Sequence, residues 1–175
     1  MQGSLEDWME HGGPVDTTPI SYGIRARDLV PDLKHREPPS YVVPSSAKQR
    51  FMEMDRVLLT IQIGDRKLID TRGPTSFDAG HMPGAINIPY RSLVEPDNPL
   101  ILKPISELRA LLESKRVITS SKVSPRILLT CGSGVSVCHM ALVLEELGLD
   151  PALIYDGSWN EWGSDPTTPK VIDTQ

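Results

Sequence analysis

One continuous stretch, RILLTCGSGVSVCHMALVLEELG over residues 126–148, constrains the fold more than any other part of this chain. The apolar residues of RILLTC do not alternate with polar ones, which is typical of a strand buried on both faces of a parallel sheet. Beyond the glycine-bearing turn, apolar residues recur at helical spacing, at Val137, Met140, Leu144 and Leu147. Gly148 then ends the pattern. A buried strand that leads straight into a helix predicts an α/β domain.

The same alternation of short apolar runs and helical patterns extends along the chain. KLID, GAINIP and ALIYDG are predicted strands, and SAKQRFMEMDRVLL, PISELRALLESK and SWNEW are predicted helices. In the first of these helices we place Phe51, Met54, Leu58 and Leu59 on one side. The predicted fold class is therefore α/β, with a central, mainly parallel sheet and helices on both faces.

Composition excludes several classes of function. The net charge of -5 gives no reason to expect a nucleic-acid partner, since such proteins are usually basic. No apolar run approaches the roughly 18 residues of a membrane helix, so we expect no membrane partner. The acidic start does not resemble a secretory signal or a transit peptide. Two cysteines do not make a disulfide framework and fit a reducing compartment, the cytoplasm or the mitochondrial matrix.

Cys131 is the candidate nucleophile. It ends the buried strand and opens the turn Cys-Gly-Ser-Gly-Val-Ser, in which Gly132 and Gly134 allow successive N–H groups to face one point. The start of the helix adds unpaired N–H groups and the positive end of its dipole. We therefore expect the pKa of the Cys131 thiol to lie below that of a free cysteine.

The sequence also allows other interpretations of the two cysteines. Cys131 could be a small buried hydrophobe, and packing is the role expected of Cys138. Cysteine phosphatases need an arginine six residues after the cysteine, where this chain has Val137. Thioredoxin-type redox chemistry needs Cys-x-x-Cys, and the spacing of the two cysteines here is longer. His139 is expected on the helix surface.

Four motifs together carry a family resemblance over residues 56–164. They are LIDTR, DAGHMPGAINIPY, the loop CGSGVS and YDGSWNEWG. With them the chain resembles the rhodanese-like sulfurtransferases, and among these the C-terminal catalytic domain of the tandem 3-mercaptopyruvate sulfurtransferases. The resemblance implies a rhodanese-like fold.

The resemblance also implies a mechanism. Cys131 would attack the sulfur of mercaptopyruvate or thiosulfate, hold a persulfide, and pass the outer sulfur to a thiol acceptor such as thioredoxin or a sulfur-carrier pathway protein. Ser133 would act with the cysteine, and Arg72 would hold the substrate carboxylate unless it forms a structural ion pair instead. The substrate would also contact the remaining loop residues, which are Gly132, Gly134, Val135 and Ser136. Asp70 and His81 match family positions with structural roles. The resemblance implies neither a metal nor an organic cofactor.

Two departures from the family pattern concern the substrate. Between Arg72 and DAGHMPG the chain has only GPTSF, where the tandem enzymes have a longer insert with a second substrate-binding arginine. The loop ends in Ser136, where threonine is usual, and so keeps a hydroxyl.

The first residues resemble the chain's own ending. GSLEDWMEHGGPVDTTP begins at Gly3, and GSWNEWGSDPTTP begins at Gly157. We predict that residues 1–19 are the end of an upstream rhodanese domain, followed by a linker over 20–50, the catalytic domain over 51–170 and a tail over 171–175. The alternative for the first segment is an unrelated amphipathic helix capped by Ser4.

Two alternatives to an active sulfurtransferase remain. A rhodanese-fold relay or binding module would carry sulfur with little turnover of a small substrate, and a truncated chain would have no function.

Overall fold

The computed structural model describes residues 5–15, 50–119 and 125–172. The chain divides into two units, with the boundary between Ala47 and Lys48. The predicted linker over 20–50 lies, apart from Arg50, outside the described residues.

A four-stranded parallel sheet forms the centre of the second unit. Its strands are β1 (Lys67–Asp70), β2 (Ile86–Asn87), β3 (Ile127–Thr130) and β4 (Leu153–Ile154), in the order β2-β1-β3-β4. All three neighbouring pairs are parallel. Asp70 pairs with Thr130 in the register of β1 and β3, so these two strands end side by side. The predicted α/β class with a parallel sheet is confirmed.

Helices connect and flank these strands. They are α2 (Met54–Ile63), α3 (Pro74–Asp78), a 3-10 helix (Tyr90–Ser92), α4 (Ile105–Ser114), α5 (Val137–Glu146) and α6 (Ser158–Trp162). Pro104 precedes the first turn of α4 at the N-cap, and Gly148 follows α5 with a positive φ of 69°. Both positions agree with the sequence pattern, because proline suits a helix start and glycine suits the left-handed end.

The sheet has an apolar cluster on each face. Ile69 and Leu129 point to a cluster that includes the buried side chains of α4 and α5. Leu68 and Leu128 point to a second cluster with Val57 of α2 and Trp162 of α6. Successive strand residues face opposite sides of a sheet, so the non-alternating strand sequences follow from burial on both sides.

The predicted start of the first helix of this unit was wrong. Phe51 is bridged to Ile154 as extended chain, and the helix begins only at Met54. Phe51 and Leu59 are each 55% exposed, whereas Val57 is buried. Near the end of the described residues, Val171 and His81 exchange backbone hydrogen bonds of 2.9 Å.

The first unit contains helix α1 (Leu5–Glu10), which has no buried residue. The Trp8 indole donates to the carbonyl of Pro14 at 3.1 Å, and in the second unit the Trp162 indole donates to Pro169 at 2.9 Å. In both stretches the tryptophan indole therefore donates to the carbonyl of a proline that follows in the chain. No helix within the described ranges has the length and apolarity needed to cross a bilayer.

Candidate active site

The sulfur of Cys131 lies at the carboxyl end of β3, where the loop over residues 132–136 leads into α5. The residue is 2% exposed. Burial alone raises the pKa of its thiol. Hydrogen bonds to the sulfur lower the pKa by more than burial raises it, and they come from the Ser136 hydroxyl, the backbone N–H groups of Ser133 and Val137, and the Ser158 hydroxyl. The net result is a pKa below the usual value for cysteine, as the sequence predicts. No cation is among these hydrogen-bond donors.

Ser158 is a site residue that the sequence analysis did not identify. Its buried hydroxyl oxygen accepts the N–H groups of Cys131 at 3.3 Å and Gly134 at 3.1 Å, and lies 3.9 Å from the Cys131 sulfur. Its single hydrogen can be donated either to the Cys131 sulfur or to the carbonyl of Tyr155, which lies 2.9 Å away. The signal in the sequence was the position of Ser158 just after β4, because ligand-facing groups collect at the carboxyl ends of parallel strands.

The backbone of Ser158 has a φ of 54°. A non-glycine residue in this left-handed region is uncommon and carries a cost of about 1–3 kcal/mol. The hydrogen bonds of its hydroxyl hold it there. Next to it, the N–H groups of Trp159 and Asn160 each donate at 3.0 Å, to the carbonyls of Cys131 and Gly132 respectively. The first residues of α6 therefore bind the carbonyls of the first two residues of the turn that begins at Cys131.

The two loop glycines have different requirements. Gly134 has a φ of 80°, and a Cβ added there would lie 2.5 Å from an Asp156 carboxylate oxygen and 3.1 Å from the Asp156 carbonyl. Gly132 lies outside the left-handed region, and a Cβ added there would meet nothing within 4 Å. Of the two positions, only Gly134 needs glycine for its conformation.

We expect Gly134→Ala to lower the free energy of unfolding by about 1–3 kcal/mol, because the alanine would be strained at this φ and would crowd Asp156. Gly132→Ala is the matched control and should change stability by less than about 0.5 kcal/mol. Urea unfolding of the two variants checks this. Equal destabilisation of both would show that the loop geometry is wrong.

Arg72 is buried in a network of its own. Its guanidinium donates to the Asp70 carboxylate at 2.7–3.1 Å, and also to the carbonyls of Ser76 and Gly80 at 3.0 and 2.8 Å. One guanidinium face lies 4.5 Å from the centre of the Trp159 ring. Arg72 is 9% exposed. With most of its N–H groups already occupied, the geometry favours the structural ion pair over a substrate-carboxylate contact.

The other predicted loop residues have separate positions. Ser133 contacts the cysteine sulfur through its backbone N–H, and its side chain is exposed. Val135 is 71% exposed on the outer side of the loop. The Ser136 hydroxyl bonds the sulfur and lies 2.8 Å from the Thr71 hydroxyl. The structure thus gathers Ser133, Ser136 and Cys131 together and leaves Val135 at the surface.

Cys138, His139 and His81 lie outside the loop over residues 132–136. Cys138 is exposed, so its predicted packing role was wrong. His139 is half-buried rather than on the surface, with its ring centre 5.4 Å from that of Tyr90. His81 is buried, stacked on Phe77 at 3.8 Å, and its backbone pairs with Val171, which agrees with the predicted structural role. Among the described residues, no group of three or more His, Cys, Asp or Glu side chains could hold a metal ion.

Comparison with known proteins agrees with this geometry. A family described as the rhodanese-like domain matches residues 53–165. Thiosulfate sulfurtransferase of Rattus norvegicus is 26% identical over 174 residues, which cover 93% of this chain and 52% of the rat protein. The 3-mercaptopyruvate sulfurtransferase of Homo sapiens is 39% identical over 85 residues, or 49% of this chain and 27% of the human protein. This chain spans about half the length of the curated relatives that match most of it.

A solved structure shares the architecture. SseA from Escherichia coli, described among 3-mercaptopyruvate sulfotransferases, has a TM-score of 0.53 and 30% sequence identity, over 63% of this chain and 42% of SseA. The family match includes the sheet and the Cys131 loop together. This chain therefore belongs to the family of rhodanese-like domains.

Proposed function

We propose that the chain is a sulfurtransferase in which Cys131 carries a persulfide between a small sulfur donor and a thiol acceptor. The observation that carries the proposal is the set of hydroxyl and backbone N–H groups around the Cys131 sulfur, which lower the pKa of its thiol. Donors aimed at a sulfur stabilise its anion, and the thiolate is the form that attacks another sulfur. The relatives named above are sulfurtransferases, which supports the same class of reaction.

In the first half-reaction the Cys131 thiolate attacks the sulfur of 3-mercaptopyruvate or the outer sulfur of thiosulfate, and a sulfur–sulfur bond forms on Cys131. With 3-mercaptopyruvate the carbon–sulfur bond breaks and its electron pair leaves as pyruvate enolate, which then takes up a proton. With thiosulfate the sulfur–sulfur bond of the donor breaks, and its electron pair leaves with sulfite. In the second half-reaction an acceptor thiolate attacks the outer sulfur and frees the Cys131 thiolate.

The donor we favour is 3-mercaptopyruvate. The loop CGSGVS contains no arginine or lysine, and the sulfur is held by neutral hydroxyl and amide donors. A loop without cations leaves one carboxylate of a monoanion to be held by neutral donors but two charges of the dianion thiosulfate, so the monoanion fits better. The acceptor is a thiol, for which reduced thioredoxin or a small dithiol serves as the probe.

Parallel assays test the function and the donor. Pyruvate release from 3-mercaptopyruvate and sulfite release from thiosulfate are measured with dithiothreitol as acceptor. Repeated turnover with faster pyruvate release supports the proposal. A single stoichiometric release, with no further turnover at any acceptor concentration, would instead identify a sulfur-relay module. Faster sulfite release would reverse the choice of donor.

A further inference from the structure

Ser136 occupies the N-cap of α5 but does not cap it. Serine is among the residues preferred at this position because its side-chain oxygen accepts an N–H of the first turn. No such bond is present at Ser136. Its oxygen instead lies 2.8 Å from the Thr71 hydroxyl, and its hydroxyl bonds the Cys131 sulfur. The Ser136 hydroxyl therefore contacts Thr71 and Cys131 and does not cap α5.

Thr71 is held rigidly where it meets Ser136. The residue is fully buried just after β1. Its N–H donates to the carbonyl of Thr130 at 3.0 Å, and its own carbonyl accepts the N–H of Tyr90 at 3.0 Å. Thr130 immediately precedes Cys131, so the backbone of Thr71 is tied to the strand that carries the nucleophile.

Either hydroxyl can donate across the 2.8 Å contact, and a count of the available hydrogens favours one direction. A hydroxyl has a single hydrogen to donate and can accept on its oxygen. The hydrogen of Ser136 is used on the Cys131 sulfur, because only a donated bond favours the thiolate. With the Ser136 hydrogen on the sulfur, the hydrogen between the two hydroxyls comes from Thr71, and Ser136 accepts it.

Serine needs such a partner more than threonine would. A β-branched side chain is restricted at χ1 by its own methyl group, whereas serine has no such restriction. An incoming hydrogen bond from a buried, fixed donor selects one orientation of the Ser136 hydroxyl. We propose that Thr71 is a positioning residue that directs the Ser136 hydroxyl onto the Cys131 sulfur. The inference rests on the proposed function only in taking Cys131 as the nucleophile.

The test is a pH titration that needs no sulfur donor. In a Cys138→Ser background Cys131 is the sole thiol of the chain, so its ionisation is followed by thiolate absorbance and by the rate of alkylation with iodoacetamide. Thr71→Val is close to isosteric and removes the hydroxyl. It should raise the apparent pKa of Cys131 by about half to one pH unit and slow alkylation below that pKa. Thr71→Ala, a second deletion of the hydroxyl, should do the same, and Thr71→Ser should keep the original profile.

Thr130→Val is the matched control. Thr130 is also fully buried at the end of a neighbouring strand, and its hydroxyl has no hydrogen-bond partner in the described part of the chain. The substitution should leave the pKa of Cys131 unchanged. A shift equal to that of Thr71→Val would show a general effect of buried hydroxyls and would overturn the proposal.

A double-mutant cycle separates positioning from a direct effect. If Thr71 acts through Ser136, then Thr71→Val should cause no further shift in a Ser136→Ala background. An unchanged profile for Thr71→Val alone, or an equal shift in both backgrounds, would overturn the proposal. Because ionisation is measured without a donor, these results stand even if the chain proves inactive as a sulfurtransferase.

Discussion

Replacing Cys131 by serine should reduce sulfur transfer to the level of the reaction without protein, from either 3-mercaptopyruvate or thiosulfate. A serine hydroxyl at the same position stays protonated at neutral pH and cannot hold a sulfane sulfur through a sulfur–sulfur bond. The fold should survive, since serine is close to cysteine in volume. Steady-state release of pyruvate or sulfite measures the loss, and thermal unfolding confirms the fold.

Cys138→Ser is the matched control for this experiment. Cys138 is exposed in the first turn of α5, and its thiol donates to the carbonyl of Gly134, 3.9 Å away. This variant should keep most of the transfer activity. An inactive Cys138→Ser with an active Cys131→Ser would reverse the assignment of the nucleophile.

Arg72→Ala should destabilise the domain by about 3–5 kcal/mol, because it would leave the Asp70 carboxylate buried without its partner. Asp70 is 1% exposed, and the pair is closed at 2.7 Å. The substitution also removes the donors to Ser76 and Gly80 and the packing on Trp159. Urea unfolding measures the change in free energy.

The control is Arg126→Ala. Arg126 is paired with Asp65 at the same distance of 2.7 Å, but its side chain is 64% exposed. Exposed ion pairs contribute about 0–1 kcal/mol, so this variant should stay close to the original stability. An Arg72→Ala variant with unchanged stability and a kcat/KM for 3-mercaptopyruvate lowered tenfold or more would restore Arg72 as the carboxylate-binding residue.

The parts of the fold that follow from local pattern could be predicted from the sequence. The continuous apolar run of β3 and the helical stripe of α5 bracket the loop, so the position of Cys131 at a strand end followed directly. The lowered pKa followed as well, because amide groups near a helix start were available to the sulfur. A structural ion pair was one of the two alternatives for Arg72, but its partner, Asp70, was not identified.

The contributions from other strands could not be predicted in this way. Thr71 and Ser158 reach the loop from β1 and β4, and their proximity depends on the strand order β2-β1-β3-β4. Cys138 follows the buried Val137 by one residue, and a rotation of about 100° per residue turns it from the core to the surface. The start of α2 was misplaced because Phe51 suits both a helix stripe and the edge pairing with Ile154 that the fold selects.

The measurement that tests the central claim most directly is the intact mass of the chain after brief exposure to 3-mercaptopyruvate, without acceptor. We predict a gain of one sulfur atom per chain, which peptide mapping places on Cys131 and which dithiothreitol removes. Absence of the added sulfur, or its location on Cys138, would contradict the assignment of Cys131 as the sulfur-carrying nucleophile.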